Sequence, residues 1–391
     1  MSSPCTIQDV FHRFYPSYET SHDISATQRK TAYHIMNCKT GAFGVNVSVC
    51  EDCGCISIHY NSCRDRCCPM CQEFPKEKWV DARREDILDA PYFHVVFTVP
   101  EELNPVIYSN QKLLYTALYH AASGTLSQLA ADSKYLGADI GYICILHTGG
   151  SAMNFHPHIH AIVLGGGLDV KNHWKDNGED FFLPIKVISK VFRGKYMAEL
   201  KQLWEDRKLE FYGSASPYKN SYTFKELLNT CYTKEWVPYC KKPFDGAESV
   251  IRYLGKYTHR IAISNYRIKG MTESAVTFSA KDYKKLGQWK EFTISGEEFI
   301  RRFLMHVPPK RFVRIRHYGL LSSRNKNKKI TMCRNILGCQ KYISRLKNMD
   351  APAIIQLLYN QDICKCSSCG GKILPLSPGQ CHVTPKPHML C

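Results

Sequence analysis

Apolar positions along this chain fall into short dense runs separated by longer stretches of helical periodicity. Tyr92–Val99 (YFHVVFTV) is a continuous apolar run bounded by Pro91 and Pro100, as expected of a buried strand. A helical pattern covers Pro105–Asp132. Strands are predicted at Asp139–Thr148 and His156–Leu164, around a turn that contains Gly149, Gly150 and Asn154. Residues 165–180 open with three glycines and read as a loop. Helices near 188–210 and 223–231 lead to an edge strand at Glu235–Cys240, because Pro238 cannot donate to a sheet ladder. A helix over Ala247–Thr258, strands at Arg260–Ile268, Ala275–Ser279 and Trp289–Ile294, a helix at Glu297–His306 and a strand at Arg311–Tyr318 follow. Residues 1–37 are helical in pattern, with Phe11, Phe14, Tyr15 and Tyr18 on one face, and a charged helix runs from Glu73 towards Asp89. Arg324–Lys329 reads as a basic linker before a helix near 350–359. Strands mixed with helices that pack on them predict an α+β fold with a central antiparallel sheet. The predicted division is 1–80, 85–325 and 326–391.

Cysteine changes this picture at both ends. Of 19 cysteines, eight lie between Cys38 and Cys71 and five between Cys364 and Cys391. Pairs spaced Cys-x-x-Cys point to zinc rather than disulfides. Cys50, Cys53, Cys68 and Cys71 are two such pairs, and the spacing predicts one tetrahedral four-cysteine site. Cys38, His59, Cys63 and Cys67 remain for a second site. Cys364, Cys366 and Cys369 form a third group, whose fourth ligand could be Cys381, His382, His388 or Cys391. Arg64 and Arg66 sit between zinc ligands, so a metal-fixed loop would present them to DNA or pair them with Asp65.

Charge narrows the partner. With 52 basic against 35 acidic residues the formal net charge is +17, which favours a polyanion. No run of eighteen apolar residues and no lipidation motif favours a membrane, and residues 1–21 lack the apolar core of a secretory signal. The expectation is a cytoplasmic, nucleoid-associated protein that binds nucleic acid.

Two segments carry candidate chemistry. In Asn154–Val163 (NFHPHIHAIV), His158 and His160 are two apart and share one strand face. A hairpin centred between Ala152 and Met153 would set His147 opposite His158 and bring three imidazoles together. His156 is an alternative third ligand. In Ser249–Arg260 (SVIRYLGKYTHR), Tyr253 and Tyr257 project from one helical face among Arg252, Lys256 and Arg260. Tyrosine, with a pKa of about 10, needs neighbouring cations or a metal-polarised phosphate to act as a nucleophile.

Six stretches in this order, YNSCRDRCCPMCQ (60–72), FHVVFTVPEELN (93–104), Leu146 through HPHIHAIVLGGG, EWVPYCKKPF (235–244), VIRYLGKYTHRIAISNYR (250–267) and FVRIRHYGLL (312–321), resemble the rolling-circle insertion-sequence transposases of bacteria. This is the HUH two-tyrosine group with an N-terminal zinc-binding domain. The resemblance implies a sheet with the HUH strand central and the tyrosine helix beside it. It implies that His158 and His160 hold Mg²⁺ or Mn²⁺, and that Tyr253 or Tyr257 attacks single-stranded or hairpin DNA to leave a 5′-phosphotyrosine and a free 3′-OH. The second tyrosine would take the second strand, with host replication or helicase proteins as partners. Cys67 stands where the family usually shows histidine, and the C-terminal cysteines look like part of a terminal zinc ribbon. The competing readings are a replication initiator or relaxase, a zinc-dependent DNA-binding protein without catalysis, and a hydrolytic zinc nuclease.

Overall fold

The computed structural model describes residues 5–178, 181, 183–236, 238–241, 244, 249–253, 255, 262–282, 287–324 and 326–376. The fold is α+β, with helices packed on antiparallel sheets.

Two capped helices open the chain, α1 (Ile7–Ser21) and α2 (Ala26–Met36), each with a capping box, at Thr6/Asp9 and Ser25/Gln28. The hairpin β1 (Val45–Cys50) and β2 (Ile56–Tyr60) follows, then α3 (Glu73–Arg84). The central sheet begins with β3 (Tyr92–Thr98). The long helical pattern divides into α4 (Asn104–Ser109) and α5 (Gln111–Ala131) at Asn110. The Asn110 side chain there both donates to and accepts from the Glu210 backbone, at 2.7 and 2.8 Å. Next come β4 (Asp139–Gly149), β5 (Phe155–Leu168) and β6 (Trp174–Asp176). The glycine run expected as loop is the end of β5. A Cβ on Gly167 would lie 2.3 Å from the Asp139 carbonyl oxygen and one on Gly165 2.8 Å from the Phe93 ring, so only glycine lets these strands close up.

Helices α6 (Ile185–Glu205) and α7 (Ser221–Thr233) precede β7 (Tyr239–Lys241) and a helical segment at 249–253, α8. A second sheet follows, of β8 (Ile268–Met271), β9 (Ala275–Asp282) and β10 (Gln288–Ser295). The strand expected from Arg260 starts later because residues 265–267 form a 3-10 turn. The rest is α9 (Gly296–Met305), β11 (Ile315–Gly319), α10 (Lys326–Leu337), α11 (Ala351–Tyr359) and β12 (Ile373–Pro375). Much of the basic stretch expected as linker, from Lys326 onward, is the first turn of α10, where Lys326 and Lys329 pair with Asp86 and Asp139 at 2.7 and 2.5 Å.

The central sheet has the order β11-β4-β5-β3-β7, with β5 in the middle. Residues 95, 97, 144, 146, 159, 161 and 163 face one core, shared with α5 and α6. Residues 143, 145, 162 and 164 point the other way, into a smaller core with Val80, Val250, Ile251 and Leu320. That second face is apolar only where α3, α8 and α10 cover it. Further along the same strands it carries histidine.

Candidate active site

Register brings the histidines together. His147 of β4 lies opposite His158 of β5, and Val96 and Thr98 of β3 lie opposite His160 and His158. Directly opposed residues share a face, so His147, His158 and His160 converge, with ligand nitrogens within 4.8 Å of one another. His156 is outside that group, but its carbonyl accepts a 2.6 Å hydrogen bond from His158 Nδ1. This bond fixes the proton of His158 on Nδ1 and leaves the Nε2 lone pair facing the cluster. Burial holds the imidazole neutral, with its pKa down at about 4. His158 Nε2 and His160 Nε2 are 2.9 Å apart. Three imidazoles within this reach of one another can hold one divalent cation.

On the far side of His160 stands Tyr253. Its hydroxyl is 2.8 Å from His160 Nδ1 and 2.8 Å from His94 Nε2, and those two nitrogens are themselves 2.8 Å apart. The His94 ring stacks on that of His160 with centroids 5.0 Å apart. Sequence reading missed His94, because one histidine inside an apolar strand resembles a core residue, and only its place on β3 opposite Ile162 sets it beside His160. Arg252 is exposed next to Tyr253, whereas Tyr257, Lys256 and Arg260 lie outside the described residues.

The turn that joins β4 to β5 is held at three successive carbonyls. Arg267 donates to Ser151, Arg302 to Ala152 and His306 Nε2 to Met153, at 2.5, 3.1 and 3.1 Å. His306 Nδ1 accepts from the Thr148 hydroxyl at 3.0 Å, and burial keeps this ring neutral with a pKa of about 4.

The cysteines divide differently from the sequence reading. Cys68 and Cys71 join Cys38 and Cys63, while Cys50 and Cys53 join Cys366 and Cys369. Cys38 and Cys63 flank the base of the β1–β2 hairpin and Cys50 and Cys53 its tip. A strand of six residues separates base from tip by about 17 Å, so Cys68 and Cys71 cannot reach both. Spacing identifies a pair of ligands but not the pair it faces. The Cys63–Cys71 and Cys53–Cys366 sulfurs are 3.7 Å apart, and the Cys50–Cys369 sulfurs 3.5 Å. A tetrahedron with Zn–S bonds of about 2.3 Å has edges of about 3.8 Å. Both groups therefore fit zinc. Hydrogen bonds from Cys63 and Cys68 hold the Cys71 thiol well below the usual thiol range. His59 is exposed on β2, outside both groups. Cys67 is buried beside Arg314, with its thiol pushed up to about 12 by desolvation. Cys364 is exposed and joins neither group, and Cys381 lies outside the described residues. Arg66 is not free for DNA, since its guanidinium donates to the carbonyls of Phe312 and Pro309 at 2.5 and 2.9 Å. Asp65 pairs with His34 at 3.0 Å, and Arg64 is exposed.

Residues 10–99 match the family described as "Transposase zinc-binding domain", and residues 141–329 match that described as "Putative transposase". "Putative transposase y4qJ" of Sinorhizobium fredii is 41% identical over 334 residues, 85% of this chain and 84% of the relative. "Transposase for insertion sequence element IS801" of Pseudomonas savastanoi pv. phaseolicola is 27% identical over 301 residues, 75% of this chain and 70% of the relative. The chain belongs to the rolling-circle insertion-sequence transposases with an N-terminal zinc-binding domain. Among solved structures, the conjugative relaxase TrwC in complex with oriT DNA aligns with 51% of this transposase and 69% of its own chain. At a TM-score of 0.25 and 14% identity, that likeness carries no weight in the assignment. Among the described residues, no helix of the transposase is long and apolar enough to cross a membrane.

Proposed function

We propose that this transposase nicks single-stranded DNA through Tyr253, forming a 5′-phosphotyrosine that is then transferred to a second strand. One observation carries the reading: the Tyr253 hydroxyl is hydrogen-bonded at 2.8 Å to two imidazoles, one of which belongs to a three-histidine cluster. With a metal ion on Nε2 of His160, its proton would sit on Nδ1 and donate to the tyrosine oxygen. The tyrosine hydroxyl in turn donates to His94 Nε2. As Tyr253 Oη bonds to the scissile phosphorus, its proton passes to His94 and the His160 N–H remains to stabilise the phenolate oxygen. The P–O bond to the 3′-oxygen breaks, and that oxygen leaves as a hydroxyl with a proton taken from solvent. His147, His158 and His160 would hold Mg²⁺ or Mn²⁺, which polarises a phosphate oxygen when bound. Tyr257 would serve the second strand. Arg64, Arg252, Lys256 and Arg260 would hold backbone phosphates. Tyr239 of β7 lies opposite Val96 and so shares the face of the histidines. It is 55% exposed and would stack an unpaired base. Host replication or helicase proteins would supply the single strand.

The test is cleavage of labelled single-stranded element ends with Mg²⁺ or Mn²⁺, followed by denaturing gel electrophoresis. The expected result is a covalent protein–DNA band that needs metal, His158 and at least one of Tyr253 and Tyr257. Cleavage that persists without a band in the Tyr253→Phe/Tyr257→Phe variant would instead identify a hydrolytic nuclease.

A further inference from the structure

The transposase zinc-binding match ends at residue 99, yet the knuckle Cys50/Cys53 finds its partners more than 300 residues later. The two halves of this group are built alike. Each reads Cys-x-x-Cys-Gly, with Gly54 and Gly370 in the left-handed region at φ 69° and 77°. In each, the glycine N–H bonds back to the first cysteine's carbonyl, Gly54 to Cys50 at 3.0 Å and Gly370 to Cys366 at 2.9 Å. In each, the first cysteine's N–H closes the turn, Cys50 onto the Cys55 carbonyl at 2.9 Å and Cys366 onto the Gly371 carbonyl at 2.8 Å. The Gly371 amide also points at Cys369 Sγ, 3.4 Å away, as amides do around metal thiolates. The knuckles meet so closely that a Cβ on Gly371 would lie 2.3 Å from an Asp52 carboxylate oxygen. Antiparallel pairing of β1 with β12, Cys50 opposite Ile373, sets the alignment.

We propose that Cys50, Cys53, Cys366 and Cys369 bind one structural zinc ion that clasps the end of the chain to the N-terminal hairpin. The ion is held by two symmetric knuckles and closes a loop of over 300 residues around the catalytic sheet. Its binding releases the remaining thiol protons to solvent. The clasp has a partner further back along the tail, where Asp81 of α3 accepts from Tyr342, Ser344 and the Leu346 amide at 2.7, 2.6 and 2.9 Å. Just ahead of the Asp81 anchor the tail borders a cavity of about 480 Å³ that Gly338, Cys339 and Tyr342 line together with Ile251 of α8. The Asp81 anchor thus holds the tail where it passes α8, and the clasp fixes the tail beyond it.

The experiment measures zinc per chain by mass spectrometry on full-length protein. Cys366→Ser/Cys369→Ser should carry one zinc fewer than wild type. Cys50→Ser/Cys53→Ser should carry the same one fewer, and the quadruple variant should lose no more than either pair. Cys68→Ser/Cys71→Ser in the same background should lose a further ion. If the C-terminal pair leaves the count unchanged, or if the N- and C-terminal losses add, the shared site is wrong. Cys369→His covers the case of unstable serine variants. It should keep the zinc count and shift the visible band of the cobalt-substituted protein, because three sulfurs and a nitrogen replace four sulfurs. An unshifted cobalt spectrum would overturn the assignment independently.

Discussion

At the scale of single residues, the site is defined by which proton each imidazole holds. The bond from His158 Nδ1 to the His156 carbonyl leaves His158 one tautomer, and in the proposed mechanism a metal on Nε2 of His160 sets the proton order in the triangle of His94, His160 and Tyr253. Tyr253→Phe should abolish the covalent adduct at the first strand while metal binding at the histidines persists, as isothermal calorimetry with Mn²⁺ would show. His94→Ala should lower the single-turnover rate by about 10²–10⁴, the range of general-base catalysis, with Mn²⁺ affinity little changed. An equal loss of metal affinity would make His94 a ligand-positioning residue instead. His306 contributes a pH dependence. Its folded pKa of about 4 is below the ordinary 6.5, so the unfolded chain binds more protons between those values. Its contribution is therefore complete above pH 6.5 and is lost as pH falls towards 4, by up to about 3 kcal/mol. His158 and His317, also buried with pKa values of about 4, act in the same direction. Melting temperatures measured from pH 7 to pH 4 should fall more shallowly for His306→Gln than for wild type. The roles of His94 and His306 were not legible in the sequence, since neither carries a motif. The His-x-His pair and the tyrosines at helical spacing were legible as candidates.

At the scale of elements, most segments followed from periodicity because their environment agrees with their pattern. β3 and β4 are continuous apolar runs because both their faces are covered along most of their length. The exceptions have local causes. Asn110 breaks a long helix by binding the chain at Glu210, and Gly165–Gly167 are strand because neighbouring backbone comes too near for any side chain. Helix α3 is joined to the tail by Asp81, which is 7% exposed and whose carboxylate accepts three hydrogen bonds. Asp81→Ala would leave two hydroxyls and one amide unsatisfied in a buried site. The expected loss is about 2–4 kcal/mol in urea denaturation, with the slope unchanged. A loss below 0.5 kcal/mol would mean that water replaces the carboxylate.

At the scale of the whole molecule, the net charge of +17 favours a polyanionic partner, and the proposed function makes that partner single-stranded DNA. Affinity for single-stranded DNA should fall steeply with salt, with a log–log slope of about −0.7 per phosphate contact. A flat salt dependence would count against such contacts. Tyr239→Ala should weaken binding of a single strand by about tenfold and leave duplex binding unchanged, read by fluorescence anisotropy.

The amino-acid sequence by itself determined the α+β class, the cysteine pairs as candidate ligands, the histidine pair on one strand face and the basic character. Each depends on neighbours within a few residues, where spacing is geometry. Only the tertiary structure decided which cysteine pairs face each other, that His147 rather than His156 completes the cluster, and that His94 touches Tyr253. It also decided that Arg66 holds the chain before β11 instead of standing free. These relations join residues from about ten to more than 300 positions apart. They are set by strand register and by chain closure, and no local periodicity encodes either.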